Sequence, residues 1–260
     1  MATLIGQLSD PHVQDPDVDP EPLRRFTAAL ADMAAEVGPD GRVLVTGDLT
    51  AHGRPEEYAA VARAVEATGL PVHVLPGNHD DRALLTRLVP AGAGERRVGL
   101  GSRTPSRCEA GDVVVLMLDS LVPGHAHGEL GAEQLEWLDA QLAAAPGTMH
   151  LVAVHHPPFA IGVAGIDRMG LADADAFART LRAHDNVGRL CTGHVHRAVV
   201  TGFAGVVATS CPSVWTSLPL DFRPDAPYRP GPFQDLGLLH LADAATVVTH
   251  VVSVPKRPAG

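Results

Sequence analysis

Cysteine, charge and aromatic residues are all scarce in this 260-residue chain. The three cysteines, Cys108, Cys191 and Cys211, are too few and too scattered for a disulfide framework or a thiolate metal site. They are expected as buried, reduced thiols, which suits a cytoplasmic protein. No apolar run is long enough to cross a bilayer, so no membrane partner is expected. Nor is a signal peptide expected, because the first apolar run reaches Asp10 almost at once. Charged residues make up 19% of the chain and hydrophobic ones 45%, which excludes a disordered or coiled-coil chain. The net charge is −10 and there is no run of basic residues, which argues against nucleic acid as a partner. A small anionic substrate stays open, because bound cations reverse the sign of a site locally. No repeat, low-complexity tract or linker is visible, and residues 1–260 are expected to form one domain.

Histidine, by contrast, is abundant, at 14 residues. The order of apolar patterns tells where these side chains fall. Buried strands are predicted over 3–8, 42–46, 72–75, 113–118, 149–154 and 187–192. Helical spacing is predicted over 23–37, 55–67, 81–89 and 132–144, with a further helix capped by Asp173 and running to about 183. Residues 198–203 with 206–210, and 236–241 with 246–254, read as antiparallel pairs. Residues 90–111 read as a solvated hairpin region, and 159–171 as an apolar loop. Strands alternating with helices predict an α/β protein with a sheet covered by helices.

Five groups of nitrogen and oxygen donors each follow one of those strands: Asp10 with His12, Asp48, Asn78 with His79, His155 with His156, and His194 with His196. Strand ends in open α/β sheets form the ligand-binding crevice. Gly47, Gly77 and Gly193 directly precede three of the groups, where a backbone without Cβ can turn sharply or approach an ion. In Asp10-Pro11-His12 the proline is expected to hold an extended backbone, so that side chains two apart point the same way. Oxygen and imidazole donors without thiolate suit hard or borderline divalent metals. The His125 and His127 loop lacks a carboxylate partner at a strand end and reads as a plain loop.

In order, Asp10-x-His12, Gly47-Asp48, Gly77-Asn78-His79-Asp80, His155-His156-Pro157 and Gly193-His194-Val195-His196 resemble the five motifs of the calcineurin-like metallophosphoesterases. The phrases from Gly53 to Tyr58 and from Pro76 to Asp81 look closest to bacterial glycerophosphodiesterases and class III cyclic-nucleotide phosphodiesterases. The resemblance implies a four-layer αββα sandwich, two mixed β-sheets flanked by helices. It implies two divalent metal ions, drawn from manganese, iron, zinc or cobalt. One would take Asp10, His12, Asp48 and His196; the other would take Asp48, Asn78, His155 and His194, with Asp48 bridging. His155, at the strand end, is taken as the ligand of its pair, and His156 as a supporting or phosphate contact. Two cations roughly 3.5–4 Å apart clamp a phosphoryl oxygen and ionise a water to make the nucleophile. His79, beside the site, would stabilise the equatorial oxygens or protonate the leaving alkoxide.

The expected substrate is a small phosphodiester, either a 3′,5′-cyclic nucleotide such as cyclic AMP or a glycerophosphodiester. A nuclease, a phosphomonoesterase or protein phosphatase on the same core, and a scaffold that has lost catalysis are the competing readings. Some glycerophosphodiesterases carry a histidine where this chain has Trp215. That residue, with Phe222, Tyr228 and Phe233, sits among six prolines over residues 212–233. It is expected either to hold the organic part of a diester or to pack over the sheet edge or against a second subunit of a homo-oligomer.

Overall fold

In the computed structural model, residues 2–224 and 229–254 are described. Tyr228, one of the aromatics of the proline-rich stretch, lies outside them. The chain runs β1 (Thr3–Leu8), α1 (Glu21–Val37), β2 (Arg42–Val45), α2 (Pro55–Ala67), β3 (Val72–Val74) and α3 (Arg82–Leu88). Then come β4 (Arg96–Arg97), β5 (Ser106–Ala110), β6 (Val113–Leu118), α4 (Ala132–Ala144) and β7 (Met149–Val154). Next are α5 (Ala164–Asp167), α6 (Ala174–Arg182), β8 (Val187–Thr192), β9 (Val199–Phe203) and β10 (Val206–Ser210). The hairpin β11 (Leu236–Ala242) and β12 (Val247–Ser253) follows.

These strands form two mixed sheets, ordered β12-β11-β1-β2-β3 and β4-β5-β6-β7-β8-β10-β9. The five strands that carry the donor groups, β1, β2, β3, β7 and β8, are parallel to their donor-bearing neighbours within each sheet. All five therefore end at the same rim of the molecule.

The side-chain alternation of the strands builds four layers. On β2, Val43 and Val45 face α1 and α2, packing with Phe26, Leu30, Met33 and Val61. Leu44, between them, faces the other way, into a middle layer with Ile5, Val115, Met117, Leu151 and Cys191. On the second sheet, Leu116, Val152 and Leu190 pack outward against Leu138 and Leu142 of α4 and Phe177 and Leu181 of α6. The αββα sandwich expected from the motifs is the observed architecture. No helix among the described residues is long and apolar enough to cross a membrane.

Three expectations need correction. The 90–111 region is a hairpin, but β5 is an interior strand rather than a solvated one. Ser106, Cys108 and Ala110 alternate on its buried side, and their small size hides the pattern. Asp173 stands at the start of α6 but makes no cap there. Its carboxylate accepts the N–H groups of Leu130 and Gly131 at 2.8–3.1 Å, where α4 begins with a glycine that has no side chain to offer. The apolar 159–171 loop contains the single-turn helix α5.

Candidate metal centre

Each strand end turns abruptly, and the turns are where the donors sit. Asp10, His12, Asp48, His194 and His196 all have positive φ, between 44° and 67°. The extended Asp10-Pro11-His12 backbone expected from the sequence is therefore not what forms. Hydrogen bonds to the neighbouring turn impose the coiled path instead: the Asp10 amide donates to Gly47 O at 3.1 Å, and the His12 amide to Asp48 O at 3.0 Å. Such backbone costs roughly 1–3 kcal/mol per residue and persists only where its surroundings over-determine it. Two glycines make the crowding possible. Gly47 has a φ of 93°, and a Cβ there would run into the His155 ring; a Cβ on Gly77 would run into the Asp48 carboxylate.

These turns bring the donors together in overlapping groups. Asp10, His12 and His196 have ligand atoms within 4.8 Å of one another, as do Asp10, Asp48 and His155, and His155, His156 and His194. Asp48 stands between the groups, with Oδ2 3.6 Å from His12 Nε2 and 3.5 Å from His155 Nε2. Asn78 Oδ1 lies 3.3 Å from His155 Nε2. Asp10 lies 3.5 Å from His196 Nε2, and its carboxylate also accepts the His194 amide.

The outer nitrogens of two imidazoles are anchored on backbone carbonyls. His155 Nδ1 donates to Thr46 O at 2.7 Å, and His196 Nδ1 donates to Thr216 O at 2.9 Å. Such a bond fixes the tautomer and turns the Nε2 lone pair inward. The Nε2 atoms of His12 and His196 face each other at 3.1 Å. Those of His194 and His156 are buried with no hydrogen-bond partner. Inward lone pairs, orphaned buried nitrogens and two carboxylates fit a divalent cation of the imidazole-and-oxygen type. The carboxylates also draw positive charge to this place, which without a cation takes the form of protons on two of the imidazoles. Burial opposes charge on His155, but Asp48 prevails and pushes its pKa up to about 9. Burial is likewise outweighed at His196, by Asp10. Burial pushes His12 down to about 4 and His194 down to about 3. It would also raise Asp48, yet His155 and the other imidazoles hold that carboxyl well below its usual range.

His79 is exposed at the rim. Its Nδ1 donates to Ala51 O at 2.9 Å, and its ring meets that of His12 edge-on at 4.7 Å. His156 is buried behind the centre, with Nδ1 2.7 Å from Ser120 Oγ. Trp215 is half-buried and stacks on Phe233 at 4.5 Å while also lining a cavity of about 440 Å³ with His12, Asp48, His79, His194 and His196. His125 and His127 lie against each other at 5.0 Å, outside these groups.

The sequence left several supporting residues unmarked. Asp80, within the Gly77–Asp80 motif, is a loop builder. It accepts the amides of Gly77, Leu49 and Thr50 and the hydroxyls of Thr50 and Tyr58, at 2.9–3.2 Å. Burial and then the nearby Asp48 push its pKa up to about 6. The α3 cap is the next residue, Asp81, which accepts the Leu84 amide. Glu57, buried, accepts the Arg54 amide, and a glutamate three positions into a helix opened by Pro55 was the available signal for that role.

Residues 3–198 match the calcineurin-like phosphoesterase family. A probable cyclic nucleotide phosphodiesterase of Synechococcus sp. is 31% identical over 251 residues, covering 88% of this chain and 91% of that one. A glycerophosphodiester phosphodiesterase, GpdQ, of Enterobacter lignolyticus is 28% identical and covers 86% of this chain and 82% of that one. The 3′,5′-cyclic adenosine monophosphate phosphodiesterase CpdA of Escherichia coli is 32% identical over 173 residues, 66% of this chain and 60% of that one. Among solved structures, a dimetal phosphatase from Danio rerio superposes with a TM-score of 0.64 over 95% of this chain and 98% of that one. At 15% identity that likeness bears on the fold alone.

Proposed function

The chain belongs to the calcineurin-like phosphoesterase family, and from that premise we propose that it hydrolyses small phosphodiesters, 3′,5′-cyclic nucleotides or glycerophosphodiesters, with two divalent metal ions. The observation that carries the two-ion reading is the place of Asp48, 3.6 Å from His12 Nε2 on one side and 3.5 Å from His155 Nε2 on the other. Asp10, His12, Asp48 and His196 would hold one ion, and Asp48, Asn78, His155 and His194 the other. His155 is preferred over His156 because its Nε2 stands beside both Asp48 and Asn78. Bound there, the cations would draw charge from the phosphoryl oxygens and lower the pKa of water toward neutrality.

The chain's own groups supply the rest. Asp48 and Asp10 bring the negative charge that holds cations in a buried place. Thr46 O and Thr216 O hold the Nδ1 protons of His155 and His196, so that the Nε2 atoms would be the ones to meet a cation. His79 is anchored at Nδ1, which leaves Nε2 free, and the protonated ring would give its Nε2 proton to the departing alkoxide or a hydrogen bond to an equatorial oxygen. Ile166, Met169 and Trp215 line one side of the cavity and give the organic part of a diester an apolar face.

An acidic chain with buried thiols supports a cytoplasmic setting and a small substrate rather than nucleic acid. Residues 1–260 are proposed to act as a single domain. The test joins elemental analysis of protein purified without chelator to a panel of cyclic AMP, glycerophosphocholine, phosphomonoesters and single-stranded DNA. Two bound ions and turnover of the first two substrates support the reading. Metal-free protein, or a preference for monoesters or DNA, would overturn it.

A further inference from the structure

Two cavities meet at the candidate centre. The smaller contains the clustered donors, and the larger, of about 740 Å³, opens on the far side of Asn78 and His79. His52 belongs to the walls of both. Its side chain is 51% exposed, yet it is tightly held, because Nδ1 lies 2.8 Å from Oε1 of Glu57, a side chain with no exposure at all. The other carboxylate oxygen, Oε2, already accepts the amides of His52 and Arg54 at 3.0 and 3.1 Å. The start of α2 is thus satisfied by one oxygen, and the second is spent on an imidazole half in solvent. With the imidazole half in solvent, screening limits what this contact adds to stability. What it does is fix direction. A carboxylate only accepts, so Nδ1 carries a proton toward Glu57, and the ring is held with Nε2 turned away from it. The loop beneath is equally fixed: Gly53 has a φ of 67°, and a Cβ there would come within 3.2 Å of the Asp81 amide.

We infer that His52 binds substrate, its Nε2 hydrogen-bonded to a free hydroxyl on one alcohol arm of the diester, and that Glu57 is the positioning residue behind it. The substrate class is a phosphodiester of a polyol or sugar, with the hydroxyl-bearing arm in the larger cavity. Thr86, Ser102 and Thr104 add hydroxyls to that wall. Its charges are of both signs and balanced, Asp80 and Asp81 against Arg82 and Arg87, which suits a neutral polar arm better than a second anion. The inference rests on the diesterase reading only for where the phosphorus sits.

The test compares wild type, His52→Ala and His52→Gln as metal-loaded full chains on glycerophosphocholine and on bis(4-nitrophenyl) phosphate, which has no hydroxyl. His52→Ala should lower kcat/KM for glycerophosphocholine about tenfold, mostly through KM, and leave the nitrophenyl diester within about twofold. The glutamine variant, which keeps an acceptor, should recover part of the loss. A second readout needs no turnover. In the zinc-loaded protein, the His52 imidazole NMR signals should move with glycerol 3-phosphate and stay still with methyl phosphate. If wild type turns over neither diester while those signals move, the diesterase reading falls and the His52 assignment stands. Equal losses on both diesters, or His52 signals unmoved by glycerol 3-phosphate, would overturn the assignment.

Discussion

A carboxylate placed between two imidazole nitrogens needs a third hold if it is not to swing toward one of them. Asp48 has it: Oδ1 accepts the His79 amide at 2.9 Å while Oδ2 faces His12 and His155. Asp48→Asn keeps the shape and that acceptor but removes the charge. The variant should fold with an unchanged circular dichroism spectrum and bind less metal. It should lose at least about 100-fold in turnover, the upper range for outer-shell partners, since Asp48 would be a direct ligand of both ions. Near wild-type turnover at saturating metal would sink the two-ion assignment. His79→Ala tests a different job. If Nε2 protonates the leaving oxygen, turnover falls about 10²–10⁴-fold on an alkyl diester while metal content holds. Nitrophenolate leaves without help, so the loss on bis(4-nitrophenyl) phosphate should be far smaller. Equal losses on the two substrates would assign His79 to the phosphoryl oxygens instead.

At the scale of elements, the parts of this protein that could be read in advance are those with a periodic signal. Apolar runs marked the parallel strands, and every donor group was found at the end of one, because a strand end is where hydrophobic pattern gives way to chemistry. What stayed hidden is what only neighbours in space decide. The positive φ of Asp10 and His12 comes from hydrogen bonds to the turn after β2, more than thirty residues on. β5 escaped notice because Ser106, Cys108 and Ala110 are too small to look like a core. The described ends of the proline-rich stretch are also more tightly tied than their composition suggests. Gln234 Nε2 donates to His196 O at 2.7 Å, and Phe233 is held between Trp215, at 4.5 Å, and the Arg25 guanidinium, at 4.7 Å. Trp215 therefore packs against Phe233 with part of its indole and lines the cavity with another part. If that cavity side stacks on a base, a contact worth about 1–3 kcal/mol, Trp215→Ala should raise KM for cyclic AMP at least about fivefold and leave dimethyl phosphate little changed. Equal changes on both, with a lowered Tm, would assign the indole to packing alone.

For the whole molecule, the centre exists only if two separate sheets keep their strand ends level, and a buried polar chain between them does this. Gln7 on β1 donates to Thr46 Oγ1 and to Thr192 O, both at 3.0 Å, joining the two sheets just below the donor groups. Its amide oxygen accepts from His240 Nε2 at 3.0 Å, and His240 Nδ1 in turn accepts the Thr249 hydroxyl at 2.9 Å. With both nitrogens committed, His240 has no place for a second proton, and burial pushes its pKa down to about 3. In the unfolded chain the same group titrates near about 6.5. Below that pH the unfolded state takes up a proton that the folded state refuses. His240 therefore contributes its full stability above about 6.5 and loses it as the pH falls toward about 3, at up to about 1.4 kcal/mol per pH unit. His240→Gln removes the titrating group. It should be less stable than wild type at pH 8, where the network is intact, but should lose stability less steeply between pH 6 and pH 4. Urea unfolding at each pH, with chelator present so that metal release adds no slope of its own, checks this. Parallel stability curves for the two proteins would mean that His240 takes its proton without breaking the chain between the sheets, and that the register is held elsewhere.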